Sequence, residues 1–222
     1  MPRDLSVTVR GEDLRLLAER ALFVPRTGTL LVADAHWGKA AAFRASAVPV
    51  PGEMTAADLS RLAGALARTG ARRLVVLGDL LHAREGRDPD TFAAVAGWRA
   101  AHRGLEVVLV RGNHDRRAGD PPADWGFACS AEPLPEPPFV LRHHPEESPD
   151  GYVLAGHVHP GVKLLGRGRQ RVRAACFHFG PRVGLLPAFG SFTGLALVEP
   201  RRGDRVFVVA DGEVLDVSPP QR

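Results

Sequence analysis

Arg73-Leu74-Val75-Val76-Leu77-Gly78-Asp79 and Leu105-Glu106-Val107-Val108-Leu109-Val110-Arg111-Gly112-Asn113-His114-Asp115 decide the fold. Each is a short apolar run, rich in β-branched residues, that ends at a glycine and then at polar side chains. Runs of this length bounded by such punctuation read as buried strands. Between them Asp88-Pro89 opens a helix, with proline suited to the first position. Phe92, Val95, Ala96 and Arg99 carry it to about His102. Upstream, Thr55-Ala56-Ala57-Asp58 reads as a helix start with Thr55 as cap. Leu59, Leu62, Ala63 and Leu66 fall on one face, and Gly70 marks the stop. The order is β-α-β-α-β, which implies a partly parallel sheet covered by helices.

Working outward, Ser6–Val9, Leu14–Leu17, Ala21–Val24 and Thr29–Ala33 read as paired strands joined by turns at Gly11-Glu12-Asp13 and Pro25-Arg26-Thr27-Gly28. Gly38 to Ala47 is Ala-rich and reads as a helix, broken by Val48-Pro49-Val50-Pro51-Gly52. Gly119 to Pro138 holds six prolines and reads as mostly irregular loop. Beyond it lie strand patterns at Phe139–Leu141, Tyr152–Leu154, Val162–Leu165, Val172–Phe179, Val183–Phe189, Leu195–Val198 and Val206–Ala210. Asp211-Gly212 closes a final hairpin onto Glu213–Val217. No linker divides the halves, so residues 1–222 read as a single domain.

The chain has 222 residues, 45% of them hydrophobic, and a formal charge of +4. No stretch is apolar for long enough to cross a bilayer. Met1 to Arg20 shows no apolar signal-peptide core, so a cytoplasmic location is expected. Cys129 and Cys176 are too far apart for a CxxC site and read as free thiols. Lys39 and Lys163 are the sole lysines; arginine carries the rest of the positive charge. Arginine suits phosphate, but a GC-rich genome enriches arginine and alanine together, so composition allows a nucleic-acid partner without establishing one.

The chemistry sits where the strands end. Asp34-Ala35-His36, Gly78-Asp79, Gly112-Asn113-His114-Asp115, His143 and Gly156-His157-Val158-His159 each follow an apolar run. In α/β sheets ligands bind at the carboxyl ends of strands. Carboxylates, a carboxamide and imidazoles without thiolate suit a pair of divalent metals. Residues two apart on a strand share a face, which would let Asp34 and His36 reach one metal, and likewise His157 and His159 if that piece is extended. Singly, each motif is weak, and any one histidine could be structural. The ordered series is specific.

That series resembles the calcineurin-like metallophosphoesterase superfamily, over roughly Leu30 to Pro160. The resemblance implies an α/β (α+β) fold: a β-sandwich of two mixed sheets flanked by helices, with a dinuclear metal site at strand C-terminal ends. It implies that Asp34, His36 and His159 hold one metal, that Asn113, His143 and His157 hold the other, and that Asp79 bridges them. His114 would be the catalytic histidine. His143 and His144 are adjacent; the resemblance of Leu141–Pro145 to a family strand selects His143. Manganese is the first choice on resemblance, with iron or zinc as options. One departure is His82, where many members carry a second Asp that supports the catalytic histidine.

A narrower resemblance rests on Asp34-Ala35-His36-Trp37-Gly38-Lys39 with Phe43-Arg44, Val48–Gly52, Leu77–His82 and Leu186–Gly194. These stretches are similar to the ligase-associated DNA damage response endonuclease family (PdeM), over about Val24 to Val217. The resemblance implies a DNA phosphodiesterase acting in repair beside an ATP-dependent DNA ligase, a helicase and an exonuclease-like protein. Lys39, Arg44 and Arg111 are candidate phosphate contacts. Arg167, Arg169, Arg171 and Arg173 alternate and could track a DNA backbone or merely protect a strand edge. Trp37 is placed to stack on a base. Ser191 and Thr193 could support the site by hydrogen bonds or simply form a turn. Two other readings remain: a phosphoesterase for a small substrate such as a cyclic nucleotide, and a catalytically silent scaffold.

Overall fold

Alternation along the parallel strands divides the core into two layers. In Arg73–Leu77, Val75 and Leu77 face one way while Leu74 and Val76 face the other. The computed structural model, which describes residues 2–165 and 171–220, repeats this division in the neighbouring strands.

One sheet holds β1 (Leu5–Val9), β2 (Glu12–Leu17), β3 (Ala21–Val24), β4 (Thr29–Ala33), β5 (Arg73–Leu77), β6 (Glu106–Val110) and β7 (Phe127–Ser130), in that order. β1 to β4 pair antiparallel, and β4 to β7 pair parallel. The second sheet holds β8 (Leu134–Glu136), β9 (Phe139–Arg142), β10 (Tyr152–Ala155), β11 (Pro160–Leu165), β12 (Arg171–Phe179), β13 (Val183–Leu185), β14 (Ala196–Leu197), β15 (Arg205–Ala210) and β16 (Glu213–Asp216). Here β9, β10 and β13 run parallel, and β12 joins them to the antiparallel hairpins. Both sheets are mixed, as expected.

Leu31, Ala33, Val75, Leu77, Val108 and Val110 meet Phe139, Leu141, Tyr152, Leu154, Phe177 and Phe207 between the sheets. On its other face the first sheet packs against α2 (Met54–Thr69) and α3 (Pro89–Ala101), through Leu59, Leu62, Leu66, Val95 and Trp98. Burying each such side chain contributes about 1.5–3 kcal/mol. Asp88 caps α3, accepting the amides of Asp90 and Thr91, and Gly70 ends α2 in the left-handed region at φ 65°. Two shorter α-helices, α1 (Lys39–Ala45) and α4 (Asn113–Ala118), flank the loops after β4 and β6.

Three expectations are corrected. The proline-rich stretch contributes β7 and β8, because its prolines leave Phe127–Ser130 free to pair with β6 along the first sheet. Thr55 lies inside α2, and its hydroxyl accepts the Gly38 amide at 3.3 Å, tying α2 to the loop after β4. Trp37 is 2% exposed and packs on Trp98 with ring centroids 6.4 Å apart, so its indole belongs to the core and is not placed to stack on a base. Of the arginine row, Arg171 and Arg173 lie exposed on β12, while Arg167 and Arg169 fall outside the described residues.

Candidate metal centre

The ends of β4, β5 and β6 in one sheet and of β9 and β10 in the other meet at one edge of the sandwich. Beyond the strands, the loops stay zipped together. The amide of Asp34 donates to Gly78 O at 3.1 Å, that of His36 to Asp79 O at 2.8 Å, and that of Trp37 to Leu80 O at 2.8 Å. These bonds hold Asp34 and His36 against Asp79.

The chain bends sharply to turn its side chains inward. Asp34, His36, Asp79, His157 and His159 all take positive φ, between 47° and 68°. Such a conformation is uncommon for residues with a Cβ, and its clustering marks a functional site. It also replaces the extended-strand account of Asp34/His36 and His157/His159. His157 turns its Nδ1 to within 3.1 Å of His143 Nε2, while His159 brings its Nε2 to 3.2 Å from His36 Nε2. The two histidines of GHVH therefore face different halves of the centre.

Glycine makes the close approaches possible. A Cβ on Gly78 would lie 2.1 Å from His143 Nδ1, and one on Gly112 would lie 2.3 Å from an Asp79 oxygen.

One half of the centre gathers His143 Nε2, Asn113 Oδ1 at 2.9 Å from it, His157 Nδ1 and Asp79 Oδ1 at 3.5 Å. His143 donates its Nδ1–H to Leu77 O at 3.0 Å, which leaves the Nε2 lone pair facing these other lone pairs. The other half gathers His36 Nε2, His159 Nε2, Asp34 Oδ1 at 3.6 Å from His159, and Asp79 Oδ2 at 3.9 Å from His36. Asp79 thus directs one oxygen to each half. Acceptor atoms packed this closely repel one another unless cations lie among them, and the oxygen and imidazole donors fit hard to borderline divalent ions. The carboxylates and first histidines are deep, with Asp34 and His143 fully buried; Asn113, His114, His157 and His159 form the accessible mouth.

Burial pushes the Asp79 carboxyl above the usual carboxylate range, an effect that the neighbouring imidazole of His143 opposes. Burial, then His159 and Lys39, lowers His36 to about 2. Burial also lowers His157, with His143 and His144 adding to the shift. These imidazoles are neutral near pH 7, the form that ligates metal.

His114 donates Nδ1–H to the His82 carbonyl at 2.6 Å, leaving Nε2 as the ring atom turned toward Asp79, 3.9 Å from its Oδ2. Asp115 does not serve His114. Its carboxylate accepts the amides of Asp79, Leu80, Leu81 and Gly112, pinning the loop after β5 to the loop after β6. The His82 ring stacks on His114 with centroids 4.9 Å apart, and burial lowers its pKa to about 4. His144 is held aside by Glu132, whose carboxylate also accepts the His143 and His144 amides at 2.9 and 3.0 Å. Glu132 belongs to no motif, and no signal in the sequence singles it out.

The candidate phosphate contacts separate. Lys39 is half-buried beside the centre, close enough to depress His36 and His82. Arg44 is exposed and donates to Val50 O at 3.4 Å. Arg111 is clamped by Asp120 through two bonds of 2.7 Å, so its guanidinium is already engaged. Ser191 donates its amide to Asp58, and the Thr193 hydroxyl donates to Gly190 O, a turn role. Among the described residues no helix is long and apolar enough to cross a membrane.

The crystal structure of the nuclease MPE of Pseudomonas putida is similar to this chain, with a TM-score of 0.86 and 42% identity, covering 97% of this chain and 100% of that one. Yfce, a phosphoesterase from E. coli, matches with a TM-score of 0.40 and 17% identity over 82% of this chain and 88% of its own. No family model matches the chain, and neither does any curated protein.

Proposed function

The chain belongs to the metallophosphoesterase superfamily, in one family with the nuclease MPE, and from that premise we propose that it is a metal-dependent phosphodiesterase that cuts DNA. The observation that carries the reading is Asp79, whose two carboxylate oxygens face two separate groups of imidazole and oxygen donors. Asp34, His36 and His159 would hold one divalent ion, Asn113, His143 and His157 the other, and Asp79 both. When bound, such a pair supplies Lewis acidity to the phosphoryl oxygens and an activated water.

The chain's own residues supply the rest. The Asp79 carboxylate is fixed by the His114 amide at 2.9 Å, and Asp34 by the His157 amide at 2.9 Å, so both side chains are held in place. The bond from Nδ1–H to the His82 carbonyl fixes the His114 ring with Nε2 facing the centre, so that in its doubly protonated form Nε2–H could serve the leaving sugar oxygen. As water oxygen bonds to phosphorus and the far P–O bond breaks, that proton would neutralise the departing alkoxide. The mouth formed by His114, His157 and His159 leaves the centre open to a polymer.

Manganese is the proposed metal, supported by the family resemblance. The same resemblance supports a role in DNA repair in the cytoplasm, beside an ATP-dependent DNA ligase, a helicase and an exonuclease-like protein. The deciding assay sets single-stranded and duplex DNA, with manganese, beside bis(4-nitrophenyl) phosphate. Cleavage of DNA is expected; hydrolysis of the small diester with intact DNA would move the substrate to small molecules. Co-elution with the ligase on gel filtration tests the partnership.

A further inference from the structure

Two half-buried phenylalanines beside the centre belong to none of the apolar clusters of the described residues. Phe43, on α1, lies 5.3 Å from Phe192 between ring centroids, at 74°. Phe43 also approaches the His82 ring at 6.3 Å and 41°, and His82 stacks on His114. The Lys39 ammonium stands 5.7 Å from the Phe192 centroid. A continuous run of rings therefore links the accessible His114 to Phe192, which lies beside the Lys39 ammonium.

Phe192 is held in register with the metal ligands. The Phe189 amide donates to Ala33 O at 2.7 Å and the Gly190 amide to Asp34 O at 3.1 Å. A Cβ on Gly190 would lie 2.4 Å from the carbonyl oxygen of Ala35, so this loop rests directly on the Asp34–His36 backbone. An aromatic ring tied this closely to Asp34 holds a fixed position relative to the candidate metal ligands.

We propose that Phe43 and Phe192, with the Lys39 ammonium, form a stacking platform for an unpaired nucleobase next to the phosphate held at the centre. The proposal rests on the DNA reading above and gives its site a base-contacting wall. Every base presents a π-face, so such a platform grips single-stranded DNA without reading its sequence. The ammonium adds attraction for the adjoining phosphate and for the ring.

The test compares an oligothymidylate with an abasic tetrahydrofuran oligomer of the same length, cut by the manganese-loaded full chain. Stacking on one base predicts that wild type favours the base-bearing strand in kcat/KM by about 5- to 150-fold. Phe192→Ala and Phe43→Ala should each cut that preference by about fivefold or more. Phe192→Leu, which keeps apolar volume but removes the ring, should lose the preference as well while melting close to wild type. A Phe192→Leu enzyme with the wild-type preference would overturn the platform and leave the ring a packing residue. If wild type cut neither strand yet hydrolysed bis(4-nitrophenyl) phosphate, the DNA reading itself would fail and the platform with it.

Discussion

Replacing Asp115 by Asn changes one atom of a carboxylate that meets the candidate ligands only through the backbone amide of Asp79, yet it should unlatch the centre. The carboxylate accepts Asp79 N–H at 2.7 Å and Gly112 N–H at 2.9 Å on one oxygen, and Leu80 N–H at 2.9 Å and Leu81 N–H at 3.3 Å on the other. In Asn one of these oxygens becomes an NH2 group, which cannot accept. Two buried amides are left facing a donor, at about 1–3 kcal/mol each. The expected destabilisation is about 2–6 kcal/mol, which for a chain of this size lowers Tm by roughly 4–24 °C. Calorimetry of the metal-stripped Asp115→Asn protein measures the first effect, and manganese titration the second, because Asp79 loses its anchor. The pH dependence of turnover should keep its shape, since Asp115 makes no contact with the His114 ring. An unchanged Tm together with a shifted pH–rate profile would refute this reasoning and make Asp115 a partner of His114.

Three further outcomes follow from the same geometry. Asp79→Asn should lose bound manganese by elemental analysis, whereas His114→Ala should retain it and lose turnover; an empty His114→Ala site would remove His114 from its proton-holding role. Gly78→Ala forces a Cβ into the left-handed region and 2.1 Å from His143 Nδ1, for a loss of about 3 kcal/mol or more in urea unfolding; near-wild-type stability would show that His143 can move aside. For His36, the folded-state value of about 2 lies below the ordinary 6.5, so between these values the unfolded chain takes up the proton and the folded chain does not. Its contribution to stability is therefore lost as pH falls below about 6.5. Metal-free wild type should lose more stability between pH 7 and pH 5 than metal-free His36→Gln. Buried carboxylates such as Asp79, raised by burial, act in the opposite sense and cancel in the difference; parallel profiles would contradict the buried, neutral His36.

The strands that carry the centre were legible because buried β-branched runs ended at glycine and then at Asp, Asn or His, as in Val75–Asp79 and Val107–His114. The convergence of Asp34, Asp79, His143 and His157 could be anticipated from order along the chain, but its geometry could not. Strand periodicity placed Asp34 with His36 and His157 with His159 on shared faces, whereas left-handed backbone at all four sets their directions. Single side chains were harder still. Trp37 sits in a motif next to a ligand, yet Trp98 from α3 covers it. Arg111 flanks the GNHD motif, yet Asp120 claims its guanidinium. Phe43 and Phe192 meet across long sequence separation, which no local pattern records. Pairing with β6 likewise overrode the loop signal of six prolines around Phe127–Ser130.

The central claim is that Asp79 stands between two cations. Anomalous diffraction at the manganese edge, from crystals of the manganese-loaded protein, tests it directly. Two peaks about 3.5–4 Å apart, one against each oxygen of the Asp79 carboxylate, are expected. A single peak, or two peaks that do not share Asp79, would contradict the account.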